Sequence, residues 1–241
     1  MRVITVKDYE AMSKKAALLV ASQVRLKSNS VLGLATGSTP LGMYDELIDM
    51  YKKDEINFSE VKTFNLDEYC NLSPEHPQSY NYYMNDNFFD HVNIQKENIN
   101  LLNGMTNDIK KECLEYDMKI KRAGGIDLQV LGIGANGHIG FNEPGKRLNV
   151  KTHQVELAQK TIEDNSRFFD TKDEVPRKAI TVGIATILKS KRILLLASGE
   201  NKAEAIKETV SGYVSTQVPS SLLQTHPEVT IIIDEAAAKL L

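Results

Sequence analysis

Short apolar runs separated by helical patterns constrain this chain more than any other feature. Residues 30–35, 126–133, 179–183, 192–197 and 229–233 are largely apolar and too short for a buried helix, and 61–65 reads as a further strand. Between them lie stretches of helical periodicity. Residues 7–27 place Ala16, Leu19, Val20 and Val24 on one face, residues 80–89 and 108–122 form two further helices, and Gly124-Gly125 ends the second of these. Strand and helix in alternation predict an α/β fold, a doubly wound and mostly parallel sheet with helices on both faces.

With 241 residues, 41% of them hydrophobic, the chain can bury one large core, and no linker or repeat divides it; residues 1–241 read as one domain. The formal charge of −3 comes from mixed signs, which argues against a nucleic-acid surface. No apolar run reaches the ~20 residues that span a bilayer, and the N-terminus lacks a signal-peptide pattern. Cys70 and Cys113 have neither metal-type nor disulfide-framework spacing. A reduced, cytoplasmic setting is expected.

A doubly wound sheet binds ligands beyond the carboxyl ends of its strands. The loops after Ala35, Asn65, Ile133 and Ala197 fall there, and each carries chemistry. The apolar run ending at Ile133 opens into Gly134-Ala135-Asn136-Gly137-His138-Ile139-Gly140-Phe141-Asn142-Glu143-Pro144. Its glycines allow close approach of the backbone to a ligand. His138 suits proton movement near neutral pH, and Glu143, five residues on, can orient the imidazole. Asp67, in Leu66-Asp67-Glu68-Tyr69, stands at a strand end where desolvation can make a carboxylate a base; a solvated acidic turn would look the same in isolation. His138, Glu143 and Asp67 could also form a zinc set, but no second clustered histidine supports it, and no metal is expected.

Thr36-Gly37-Ser38-Thr39-Pro40 joins a strand to a helix that runs to about Lys52, with Thr39 expected at the N-cap. Its N–H groups suit a phosphate, although an ordinary capped turn has the same composition. It lacks the lysine of a nucleotide-binding P-loop. Arg167, in Asn165-Ser166-Arg167-Phe168-Phe169, and Lys202, after Ser198-Gly199, are candidate anchors for the same anion. A helix is expected from Ser198 to about Val210, and Asp234 is expected to cap a closing helix.

Together, residues 31–40, Phe64-Asn65-Leu66-Asp67-Glu68-Tyr69, the Gly132 to Pro144 stretch and Asn165-Ser166-Arg167-Phe168-Phe169 resemble the glucosamine-6-phosphate deaminase family. The likeness runs to Asp234, and its most specific part is Gly-His-Ile-Gly-Phe-Asn-Glu-Pro. It implies a Rossmann-like sheet and a cofactor-free conversion of glucosamine 6-phosphate and water to fructose 6-phosphate and ammonium. It also assigns roles. Asp67 is the base that moves a proton between neighbouring carbons. His138 opens the sugar ring, with Glu143 supporting it. Asn136 stands at a ring-opening position that is aspartate in some members, so orientation is its expected role. Gly37, Ser38 and Thr39 hold the phosphate, with Arg167 and Lys202 closing over it. The segment after Pro144, with Lys146, Arg147 and Lys151, is similar to a shortened regulatory region. The resemblance thus implies a short, non-allosteric form acting as a monomer or small homo-oligomer, whose partner is a small sugar phosphate. A 6-phosphogluconolactonase-like hydrolase and a non-enzymatic sugar-phosphate sensor are the other readings.

Overall fold

The computed structural model describes residues 1–157, 162 and 175–241. In chain order they form β1 (Arg2–Val6), α1 (Tyr9–Leu26), β2 (Val31–Leu34), α2 (Leu41–Lys52), β3 (Lys62–Asn65), β4 (Asp67–Tyr69), α3 (Tyr80–Asn87), β5 (Ile99–Asn100), α4 (Ile109–Arg122), β6 (Leu128–Leu131), β7 (His153–Glu156), β8 (Lys178–Thr181), α5 (Ile184–Leu188), β9 (Arg192–Ala197), α6 (Ala203–Thr209) and β10 (Val229–Asp234).

Seven strands make one parallel sheet in the order β1-β10-β9-β6-β2-β3-β5. Alternate side chains of its central strands serve different cores, as a sheet covered on both faces requires. Leu194, Leu196 and Ile232 pack with α1 and α2 residues such as Val20, Met43 and Leu47. Ile193, Leu195, Ile231 and Ile233 pack on the other face with Tyr116, Ile187 and Ile206. Each fully buried leucine or isoleucine contributes roughly 1.5–3 kcal/mol. At the amino end of the sheet, buried Asp127 ties three segments through Lys27 Nζ (2.6 Å), Lys191 Nζ (2.7 Å) and the Val31 N–H (2.8 Å). Burial pushes its carboxyl upward, but these donors outweigh burial and hold it below the usual aspartate range.

Three departures from the sequence reading bear on the site. The run at 179–183 does not join the parallel sheet. Its strand, β8, lies between β4 and β7 in a small antiparallel sheet. β4 starts two residues after β3 ends and so leaves the main sheet, offering β8 a free edge. Thr39 does not cap α2; Pro40 holds the N-cap position and makes no side-chain bond. The Tyr9 hydroxyl instead accepts the Gly42 N–H at 2.8 Å, satisfying from outside a donor that the first turn leaves open. Beyond β10 the chain forms turns rather than a helix. The Asp234 carboxylate does accept the Ala237 N–H (2.7 Å), but it also bonds Ser198 and Gly199.

Candidate active site

Loops at the carboxyl ends of β2, β6 and β9, with β4 and α3, enclose a cleft of about 840 Å³. Thr36, Gly37, Ser38, Thr39, Asp67, His138 and Lys202 all line it. The structure therefore brings these expected residues together. Arg167 lies outside the described residues. Asn136 and Glu143 stand behind His138 and support it.

Asp67 is the first residue of β4 and is 7% exposed. Burial pushes its carboxyl up to about 7, the neighbouring Glu68 charge adds to the rise, and a hydrogen bond with the Thr36 side chain opposes it. At neutral pH it can therefore both take and return a proton. Glu68, beside it, has a different task. Its carboxylate accepts the N–H groups of Tyr80 (3.0 Å) and Asn81 (2.8 Å), the first two residues of α3. Ser79 accepts the Tyr82 N–H, so α3 is anchored on β4 by its amino end. Sequence reasoning treated Glu68 only as a neighbour in an acidic turn; its spacing of twelve from Tyr80 carries no local signal.

The histidine loop folds on itself. Gly134 donates to the His138 carbonyl (2.9 Å) and Gly137 donates to the Gly134 carbonyl (2.9 Å). The imidazole lies on Gly134: a Cβ there would come within 2.3 Å of Nδ1. Only glycine permits that seat. Nδ1 sits 3.2 Å from Glu143 Oε1, an ion-pair distance, without forming a hydrogen bond. Asn136 completes the support. Its Nδ2 donates to Glu143 Oε2 at 2.8 Å, and its Oδ1 accepts the His138 N–H at 3.2 Å. An amide can serve both partners here; a carboxylate would face Glu143 with like charge.

Two bonds tether this loop to the end of β8 and the residue after it. The Phe141 N–H donates to the Thr181 hydroxyl (3.0 Å), and Asn142 Nδ2 donates to the Val182 carbonyl (2.9 Å). Phe141 also joins Tyr69 and Tyr80 in an aromatic wall along the cleft, with ring centroids 4.7 to 6.1 Å apart. The sequence reading missed this wall, because its members come from three separate segments.

Gly37 has φ +97°, a conformation that side chains other than glycine rarely adopt. Across the cleft, Gly199 (φ +93°) turns the chain into a single 3₁₀ turn, Glu200–Lys202, and α6 follows at Ala203. Lys202 thus precedes the α-helix rather than lying within its first turn, as the sequence reading had it. Asp234 holds this loop in place, accepting from Ser198 Oγ at 2.5 Å and from the Gly199 N–H at 3.0 Å. Among the described residues, no group of three histidine, cysteine or carboxylate side chains is arranged to hold a metal ion.

This cleft lies at the carboxyl ends of parallel strands, the ligand position of a doubly wound α/β protein, and similarity defines it further. Residues 7–232 match the family of glucosamine-6-phosphate isomerases and 6-phosphogluconolactonases, and the chain belongs to that family. A glucosamine-6-phosphate deaminase of Halothermothrix orenii is 70% identical over the whole of both chains. One of Alkaliphilus metalliredigens is 62% identical, again over both full lengths. A solved structure described as a monomeric glucosamine-6-phosphate deaminase superposes with a TM-score of 0.97 at 45% identity, covering all of both chains. A 6-phosphogluconolactonase from Thermotoga maritima (TM-score 0.76, 19% identity, 97% and 98% covered) shares the fold. Among the described residues, no helix is long and apolar enough to cross a membrane.

Proposed function

We propose that this chain converts glucosamine 6-phosphate and water to fructose 6-phosphate and ammonium, with one domain carrying the whole reaction. The observation that carries this reading is the pairing of a buried carboxyl, Asp67, held near 7, with a supported imidazole in one cleft that also offers backbone N–H donors and Lys202. The deaminases 70% and 62% identical over the full chain support it from outside.

The reaction begins from a closed ring. His138 moves the proton of the anomeric hydroxyl to the ring oxygen, and the ring opens to an aldehyde. Glu143 stabilises the imidazolium formed in passing, and Asn136 keeps Glu143 in place. The aldehyde acidifies the hydrogen on the amine-bearing carbon, C2. Asp67 takes that proton while one proton of the substrate's ammonium group passes to O1, an enolamine forms, and Asp67 returns its proton to C1. C2 is now an iminium carbon; water adds there and ammonium leaves. C1 falls one oxidation level as C2 rises one, so no external electron acceptor is needed. The phosphate, gripped by the N–H groups of Gly37, Ser38 and Thr39 with Lys202 and Arg167, supplies binding energy remote from the reacting carbons.

The monomeric deaminase that superposes at 0.97 supports catalysis by a single chain, which size-exclusion chromatography with light scattering tests. Two buried free thiols fit a cytoplasmic setting. Purified protein incubated in parallel with glucosamine 6-phosphate and with 6-phosphogluconolactone tests the function: ammonium from the first is expected, and no hydrolysis of the second. Lactone hydrolysis without ammonium would favour the hydrolase reading, and binding without turnover would favour the sensor.

A further inference from the structure

Two tyrosine hydroxyls near the phosphate turn are committed to its backbone. Tyr83, on α3, donates to the Gly37 carbonyl at 2.7 Å. Tyr9, the first residue of α1, donates to the Ser38 carbonyl at 2.9 Å. These are consecutive carbonyls, reached from two separate helices.

In a planar trans peptide the carbonyl and the next residue's N–H point in opposite directions. Fixing the Gly37 carbonyl therefore aims the Ser38 N–H, and fixing the Ser38 carbonyl aims the Thr39 N–H. Among the described residues, neither N–H has an acceptor within the chain. Gly37 sits at φ +97°, and a Cβ there would meet nothing within 4 Å, so no neighbour packs against that side of the turn. The two tyrosine bonds hold its carbonyls. Tyr9 is itself held, because its hydroxyl accepts the Gly42 N–H and its ring lies against Gly42, where a Cβ would come 3.1 Å from Cε1.

We propose that Tyr9 and Tyr83 are positioning residues for the substrate's phosphoryl group, each orienting one N–H of the turn: Tyr83 that of Ser38, Tyr9 that of Thr39. The proposal rests on the turn being the phosphate site. It separates two jobs within α3, whose Tyr80 belongs to the aromatic wall while Tyr83 serves the turn.

The test uses Tyr9→Phe and Tyr83→Phe in the full chain, which remove only the hydroxyls. Each variant should raise KM for glucosamine 6-phosphate on the order of five- to tenfold, the usual yield of one hydrogen bond. The inhibition constant of inorganic phosphate should rise by the same factor, with kcat within about twofold. Amide spectra supply the readout that a general structural role would not move. In the wild type, inorganic phosphate should shift the Ser38 and Thr39 amide protons downfield. Tyr83→Phe should diminish mainly the Ser38 shift, and Tyr9→Phe mainly the Thr39 shift. Unchanged KM, phosphate inhibition and amide shifts in both variants would overturn the positioning role and leave the phosphate site standing. So would a fall in kcat with KM unchanged. A wild type in which phosphate neither competes with substrate nor shifts these amides would overturn the phosphate site and the proposal with it. Should either variant fold poorly, the wild-type shifts and the other variant still decide the matter.

Discussion

Thr181 stands opposite Asp67 across the β4–β8 pair, and its hydroxyl accepts the Phe141 N–H of the histidine loop at 3.0 Å. One buried residue thus registers the carboxyl against the loop that carries the imidazole. Gly140 closes the same corner: a Cβ there would lie 2.9 Å from the Thr181 hydroxyl and 3.6 Å from Asp67 Oδ2. Thr181→Val keeps the volume and leaves the Phe141 N–H unpaired, at a cost of roughly 1–3 kcal/mol. A displaced loop should lower kcat about tenfold or more, since catalysis is sensitive to small misplacements. Thr181→Ser should restore most of it. Steady-state kinetics on both variants checks this.

Asp67→Asn should remove most turnover while leaving KM within a few-fold. In the wild type, kcat/KM should climb with pH along an acidic limb centred near 7, because the base must be unprotonated to act. Stability runs the other way. A carboxyl that keeps its proton to about pH 7 when folded, and loses it near 4 when unfolded, weakens the fold as pH rises through that window. The amide carries no such penalty. Urea unfolding should find Asp67→Asn more stable than wild type at pH 8, by on the order of 2–4 kcal/mol, with a smaller difference at pH 4.

Asn136 joins Glu143 to the backbone of His138. Asn136→Ala should cut kcat about 10- to 100-fold, with phosphate binding intact. Asn136→Asp keeps the acceptor for the His138 N–H but sets a second carboxylate against Glu143. Like charges at that distance share a proton, so this variant should recover part of the activity and show an added step in its pH–rate profile. An Asn136→Asp profile that overlays the wild type would show that the amide donor is unimportant.

The phosphate assignment predicts strong selection. Free glucosamine should be a very poor substrate, and Lys202→Ala should act mainly on KM. Equal specificity constants for glucosamine and its 6-phosphate would contradict the site.

The sequence showed five of the seven parallel strands, because the central ones are buried on both faces and their runs stand out from the helices; the edge strands β1, largely exposed, and β5, two residues long, were not among those runs. Asp67, His138, Glu143 and the Thr36–Thr39 turn were picked out because each follows such a run, and the structure gathers them around one cleft. What stayed hidden was the second sheet. β4 and β7 are three and four residues long, and β7 alternates only weakly between half-buried and exposed positions. Contacts that join distant segments were equally silent: Glu68 under α3, Thr181 under Phe141, and Tyr9 and Tyr83 on the turn. A tyrosine on a helix looks the same in sequence whether its hydroxyl meets water or a carbonyl.

The most direct test of Asp67 as the carrier of the C2 proton is turnover of glucosamine 6-phosphate in deuterium oxide, with ammonium measured by a coupled assay and the product examined by NMR. Wild type should release one ammonium per fructose 6-phosphate, with deuterium entering at C1. Asp67→Asn should release almost none and exchange nothing, although it still binds the substrate. Ammonium release by Asp67→Asn at a rate near that of wild type, with deuterium at C1, would contradict it.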